Sequence, residues 1–244
     1  IALHTLNSGP AACATGAAAI ARRKGLERVV TGDMGGTSFD VAVIKDGVPA
    51  LDPLPSMFGM QIGIPALRAT SLGGGGGSIA RLDGDTIQVG PASAGGAPGP
   101  VCYDKGGTEP TVTDADVVLG YIDPDFFLGG RMRLRKDLAA RAIGRRVADP
   151  MGISVTEAAL RIRHSVAHNL AGAMVSLLQD DGCDASAFTF FAMGGAGPLH
   201  ACEIAELAGI GNVIGFPFGS VFSAFGSCMT DLRHTYVRSL PAAT

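Results

Sequence analysis

Arg28-Val-Val-Thr-Gly-Asp-Met-Gly-Gly-Thr-Ser-Phe-Asp-Val-Ala-Val-Ile-Lys-Asp-Gly-Val48 sets an Asp and a glycine pair between two strand-like runs. Val29 and Val30 lead in, while Phe39, Val41 and Val43 alternate with Asp40, Ala42 and Ile44 on the way out. The segment therefore predicts two strands of a hairpin, with Asp46-Gly47 supplying the next tight turn. Gly35 and Gly36 lack the Cβ atoms that would hold an anion away from main-chain amides, and Thr37 and Ser38 add hydroxyl donors, so the bend suits a phosphate. Asp33 would repel that phosphate directly. Its useful role is to hold magnesium, directly or through water, and Asp40 can do the same or orient Thr37. An ordinary glycine-rich turn with a capping Asp accounts for the same short string.

Two better-known phosphate loops are excluded. The chain has no Gly-x-x-x-x-Gly-Lys-Ser/Thr string. The polyglycine run Gly73 to Gly77 is followed by Ser78 to Val89, which reads as another hairpin and not as the helix of a dinucleotide fold. A second glycine cluster lies far along the chain. Phe188-Thr-Phe-Phe-Ala-Met193 reads as a buried strand and runs straight into Gly194-Gly-Ala-Gly-Pro-Leu-His-Ala201. Pro198 fits the first turn of a helix, and Leu199, Cys202, Ile204, Ala205 and Leu207 recur at helical spacing until Gly209. Strand, glycine turn and helix start together form a shallow seat of free amides for a nucleoside or phosphate. Close packing of helix on strand is the alternative reason for these glycines.

Together the clusters resemble the second phosphate loop and the adenosine loop of actin-like ATPases. Asn7-Ser-Gly-Pro-Ala11, Asp33 to Val41, Gly74-Gly-Gly-Gly-Ser-Ile-Ala80, Gly90-Pro-Ala-Ser-Ala-Gly95, Pro98-Gly-Pro-Val-Cys-Tyr103, Gly106 to Ala115 and Gly194 to Ala201 look more specifically like the hydantoinase A family. That family includes ATP-dependent hydantoinases, 5-oxoprolinases and subunits of ketone carboxylases. The resemblance runs along nearly the whole chain. It implies an α/β actin-like ATPase lobe (ribonuclease-H-like), with a mixed sheet and β-hairpins flanked by helices. It implies ATP and magnesium as cofactors, and an enzyme that phosphorylates a carbonyl oxygen to hydrolyse a cyclic amide. A ketone carboxylase subunit and a non-catalytic nucleotide-binding lobe are the alternatives. Asp33, Thr37 and Asp114 become the catalytic candidates. Gly35, Gly36, Thr37, Ser38, Gly194, Gly195, Ala196 and Gly197 would contact the nucleotide, and Asp33 and Asp40 the metal. Family members carry an earlier Asp-x-Gly-Gly-Thr loop that this sequence lacks. Residues 1–244 are therefore expected to be one nucleotide-binding domain of a longer protein, with an N-terminal lobe of the same protein and a hydantoinase-B-type subunit as partners.

At 244 residues the chain is long enough for a substantial core, and its Ala, Val, Ile and Leu content suits a compact domain. A formal charge of −3 without long Lys/Arg runs gives no support for a nucleic-acid or anionic-membrane surface. The five cysteines, Cys13, Cys102, Cys183, Cys202 and Cys228, are dispersed, so a reducing cytoplasm is expected. The apolar stretch Val213 to Phe225 is broken by Gly215, Pro217 and Gly219, too soon to span a membrane.

Other residues have plainer readings. His164 and His168 share a helix face and could bind a metal, but no third ligand has an obvious spacing. His200, after the second glycine cluster, could serve as an acid or base but reads more simply as packed or solvent-facing, and Cys102 has no neighbouring base in sequence. Arg131, Arg133, Arg135 and Lys136 read as a solvated face. Asp114 either caps the helix after Thr111 or supports magnesium or substrate beside Gly106-Gly107; capping is the favoured reading.

Overall fold

A computed structural model describes residues 8–52, 55–57, 60–61 and 66–230. Asn7, at the head of the first family-like block, lies outside them. Helix α1 (Ser8–Lys24) is rich in alanine, the best helix former, and ends on Arg22, Arg23 and Lys24, where the helix dipole favours cations. The expected hairpin follows as β1 (Arg28–Met34) and β2 (Phe39–Lys45), paired from Arg28↔Lys45 to Met34↔Phe39. Short strands β3 (Val48–Pro49), β4 (Leu51–Asp52), β5 (Ser56–Met57), β6 (Met60–Gln61) and β7 (Ala66–Leu67) lead to β8 (Ala69–Leu72). The polyglycine run then opens the hairpin of β9 (Ser78–Asp83) and β10 (Thr86–Ser93), as expected.

Helices dominate the remainder. α2 (Val112–Leu119) precedes α3 (Lys136–Ile143), which continues through a π-helical turn over Gly144–Ala148 into the short α4 (Asp149–Met151). Helix α5 (Val155–Asp180) starts where Ser154 Oγ accepts the Glu157 amide at 3.1 Å. β11 (Thr189–Met193), α6 (Gly197–Ala208), β12 (Asn212–Gly215) and α7 (Phe222–Cys228) complete the described chain.

The main sheet has the order β12-β11-β1-β2-β3, and β8 also pairs with β2. β12, β11 and β1 run parallel while β2 is antiparallel to β1, so the sheet is mixed, as expected. Successive residues of a strand point to opposite faces, and here both faces are covered. Val30, Val41, Val43 and Phe190 pack with Ile162, Val166, Leu170 and Met174 of α5. Val29, Ile44, Phe191 and Met193 pack with Cys13, Ala17 and Ala21 of α1 and Phe222 of α7. Phe190 and Phe191 are both fully buried, and truncating either to Ala would cost about 3–5 kcal/mol. Among the described residues no helix is long and apolar enough to cross a membrane.

Helix α6 corrects one detail of the sequence reading. Its buried face carries His200, Ala201, Ile204, Ala205 and Ala208, while Cys202 and Leu207 are exposed. Ile204 and Ala205 are buried as expected, and Ala201 and Ala208 complete that face in place of Cys202 and Leu207.

Candidate functional site

Parallel pairing of β1 with β11 sets Asp33 opposite Met193. Both strands therefore end at one edge of the sheet, and the chain leaves each through a glycine bend. The bends touch: the Ala196 amide donates to the Met34 carbonyl at 3.0 Å. Gly194 has a φ of +84°, and a Cβ there would overlap the Met34 carbonyl oxygen and lie 2.5 Å from Asp33 Oδ1. Glycine is required at this position for both its backbone angle and its lack of bulk. The Gly194 amide is itself held, donating to the Gly219 carbonyl at 2.9 Å.

The first bend is closed by the Gly35 amide, which donates to the Ser38 carbonyl at 3.0 Å. Gly36 and Thr37 are exposed at its tip, and Gly195 is exposed on the facing bend. Asp33, Gly35, Ser38, Asp40 and Ala196 are half-buried, whereas Gly197 is buried under the start of α6. The structure thus brings Asp33, Gly35, Gly36, Thr37, Ser38 and Asp40 to one place, with Gly194 to Gly197 beside them.

The polyglycine run supports the first bend, a role that the sequence reading missed. The Gly76 and Gly77 amides donate to the Gly35 and Gly36 carbonyls at 3.0 and 2.6 Å. A Cβ on Gly75 would lie 2.7 Å from the Gly36 carbonyl carbon and the Thr37 nitrogen. None of Gly73 to Gly77 has a positive φ, so these glycines provide room for close approach and not a special backbone angle. Five consecutive glycines exceed what a turn needs, and that excess was the available signal.

Asp33 and Asp40 are cross-strand partners in the antiparallel register. Side chains directly opposite on such a ladder have Cβ atoms about 5 Å apart, and like charges there repel. Burial, and then the Asp33 charge, push the Asp40 carboxyl up from its ordinary range, against hydrogen bonds from Ser71 and Ser38 that lower it. On the other side of Asp33, the Cys13 thiol donates to Oδ2 at 2.9 Å. Burial raises the Cys13 thiol, with further contributions from the Asp33 hydrogen bond and charge, so it remains a protonated donor. Two facing carboxylates, both half-buried and one supported by a neutral thiol, form a place where a divalent cation would offset repulsion. Magnesium commonly uses only one or two carboxylates, completing its shell with water and phosphate oxygens. Asp33 and Asp40 would be those carboxylates; among the described residues no group of three His, Cys, Asp or Glu is placed to hold a metal.

Asp114 is corrected by the geometry. It is fully buried at the third position of α2, not at the helix cap itself. Its carboxylate accepts the Thr111 amide at 2.9 Å, the Thr111 hydroxyl at 2.8 Å, the Val101 amide at 3.1 Å and the Cys102 amide at 2.7 Å. Four donors occupy its oxygens, and the Thr111 hydroxyl also accepts the Asp114 amide to close a capping box. A carboxylate so enclosed has no access to substrate, so its role is to pin the 101–103 turn to α2.

Other candidates separate cleanly. His200 is buried with Nε2 3.0 Å from Asp116 Oδ2, and its Nδ1 has no partner among the described residues. Arg163 clamps the same Asp116 at 2.6 Å and also reaches the Leu199 carbonyl in the first turn of α6. This buried group braces the second glycine bend from behind. His164 pairs with Glu203 at 3.2 Å. Arg133 and Arg135 pair with Asp125, Asp104 and Asp137 on the surface, as a solvated face should. Cys102 is buried, and that burial raises its thiol, which disfavours the nucleophilic thiolate.

The Hydantoinase/oxoprolinase family model matches residues 1–236. The chain belongs to the hydantoinase/oxoprolinase family. It is 47% identical over 242 residues to the acetophenone carboxylase gamma subunit of Aromatoleum aromaticum, covering 98% of this chain and 33% of that protein. The crystal structure of the ATP-dependent caprolactamase from Pseudomonas jessenii superposes with a TM-score of 0.81 at 40% identity, over 88% of this chain and 31% of that one. The nucleotide-free acetone carboxylase structure gives a TM-score of 0.83 at 36% identity, over 89% and 31%. The fold of this family member is the expected actin-like ATPase type of α/β lobe. The chain spans about a third of the length of these relatives.

Proposed function

We propose that this chain, residues 1–244, is a nucleotide-binding lobe and that the cleft between its two glycine bends binds ATP with magnesium. The in-register pairing of Asp33 with Met193 carries the reading, because it sets two glycine bends far apart in sequence against one another. Gly35, Gly36, Thr37 and Ser38 hold the phosphates. Of the bend Gly194 to Gly197, Gly195 and Ala196 face the adenosine while the buried Gly194 and Gly197 let the bend lie against Met34, and Asp33 and Asp40 hold the metal. Bound magnesium supplies charge that offsets the negative charge on the phosphoryl oxygens. The chain's own contribution is positioning: a bend fixed from behind by polyglycine loses little freedom when phosphates dock.

In the full-length protein, an N-terminal lobe of the same polypeptide completes the site. A carbonyl oxygen of a cyclic amide such as hydantoin, 5-oxoproline or a lactam attacks the γ-phosphorus and ADP leaves. Water adds to the activated carbon, and the ring C–N bond breaks with the nitrogen leaving protonated. A second water releases inorganic phosphate from the acyl phosphate to give the carboxylate. The enzyme is then an ATP-dependent cyclic amide hydrolase. A second reading, ATP use by a ketone carboxylase subunit, is favoured by the higher identity to the acetophenone carboxylase subunit than to caprolactamase subunit alpha, 47% against 40%. Either reading takes a hydantoinase-B-type subunit as partner. The dispersed free cysteines suit a reducing cytoplasm.

ADP release by the full-length protein tests this, measured with hydantoin, 5-oxoproline, caprolactam, or acetophenone plus bicarbonate. Stimulation by one substrate class is expected. An identical rate with every substrate and with none would reject the enzyme reading.

A further inference from the structure

Away from the glycine bends, a cavity of about 970 Å³ opens between the loop around Asp104 to Thr108 and the run of α3 into the π-helical turn. Its size falls at the upper end of pockets that take small ligands. Arg141, Arg145 and Arg146 all line it. Arg141 is paired with Asp137 at 2.8 Å, and Asp104, at the rim, is occupied by Arg135 at 3.1 Å. Among the described residues, Arg145 and Arg146 have no carboxylate partner.

This concentration of positive charge runs against the composition, since the chain as a whole carries −3. Arg145 and Arg146 are exposed at the cavity mouth, where solvent screens their mutual repulsion only in part, so a bound anion would lower it further, most strongly at low salt. Arg145 and Arg146 lie on the one π-helical stretch among the described residues, where the Asp149 amide reaches back to the Gly144 carbonyl. Such widened turns recur at functional sites. Across the cavity, Gly106 has a φ of +91° with open space where a Cβ would be, and Thr108 is exposed. The Val101 side of the wall is held by the hydrogen bond that its amide donates to Asp114 Oδ2.

We propose that this cavity is a second binding site, for a small ligand bearing a carboxylate or phosphate group. Arg145 and Arg146 are its anchors. A guanidinium presents paired N–H donors that match either oxyanion, so the shared chemistry is recognition of two oxygens on one centre. The site stands independently of whether the glycine cleft takes a nucleotide.

The test measures the rate at which phenylglyoxal modifies each arginine of the full-length protein at low salt, mapped by mass spectrometry. Inorganic phosphate, bicarbonate and succinate are the probes, and adenosine is the neutral control. Protection of Arg145 and Arg146 by at least one oxyanion, with none at the surface Arg133, is expected, and the probe that protects best names the ligand class. Calorimetry on Arg145→Ala/Arg146→Ala should show that oxyanion binding weakened by about tenfold or more, while Arg133→Ala leaves it unchanged. The labelling uses unmutated protein, so it decides the matter even where the double variant fails to fold. Equal labelling with and without every oxyanion would overturn the proposal, as would protection by adenosine as strong as by phosphate. Loss of ATP binding at Asp33→Ala with oxyanion protection intact separates this site from the glycine cleft.

Discussion

Asp33 and Asp114 both look like site carboxylates in sequence, and the molecule treats them in opposite ways. Asp114 sits at zero exposure with four donors on its oxygens. Asp33 stands at the end of a strand, half-buried, with a thiol on one oxygen and a second carboxylate facing it across the ladder. The first arrangement is complete without any ligand. The second carries unresolved repulsion that a cation would relieve. Saturation of lone pairs, not the presence of a carboxylate beside glycines, separates a structural Asp from one available for binding.

The largest effect should come from Asp114→Ala. Removing the carboxylate leaves buried amide donors without acceptors, and a loss of about 3–5 kcal/mol in unfolding free energy is expected by denaturant titration. Retained stability with lost activity would break the contrast and return Asp114 to the site. Gly194→Ala comes next. Its Cβ has no room beside Met34 and Asp33, and the positive φ adds strain, so a cost of about 2–3 kcal/mol and a distorted cleft are expected from the same titration.

Asp33→Ala should leave stability within about 1 kcal/mol. Its nucleotide affinity should fall by about tenfold or more in magnesium, since a divalent cation loses a charged ligand. Unchanged affinity by calorimetry would remove Asp33 from its assigned role. Asp40→Asn is the subtlest change. Burial raises the folded Asp40 carboxyl, so the penalty for ionising it is absent below the unfolded value and is fully present once pH rises above the folded one. The variant should therefore gain a little in metal-free thermal stability at pH 7, no more than a few degrees, and nothing at low pH. A gain largest at low pH would reverse the sign and contradict the facing-carboxylate account.

Much of this was legible in the sequence because the decisive signals are local. Alternation after Phe39 gives the β1-β2 hairpin, and Pro198 and Gly209 bracket α6. The glycine bends could be read because a Cβ-free residue near a carboxylate has few roles. What stayed hidden was long-range. Nothing near Cys13 says that its thiol will meet Asp33, and nothing in Gly73 to Gly77 says which backbone they approach. The same holds for α6, where spacing placed Ile204 and Ala205 on the buried face but did not tell that Ala201 and Ala208, and not Cys202 and Leu207, join them. Thr111, not Asp114, is the cap; Asp114 completes the capping box from the third helix position, and its bonds to Val101 and Cys102 stayed hidden because they depend on a turn formed by the preceding segment.

The most direct test is amide hydrogen exchange of the full-length protein with and without magnesium and a non-hydrolysable ATP analogue. Slowed exchange in both bends, Gly35 to Ser38 and Gly194 to Gly197, abolished together by Asp33→Ala, is the predicted result. Protection of one bend alone, or of neither while the analogue is bound, would contradict a shared nucleotide cleft.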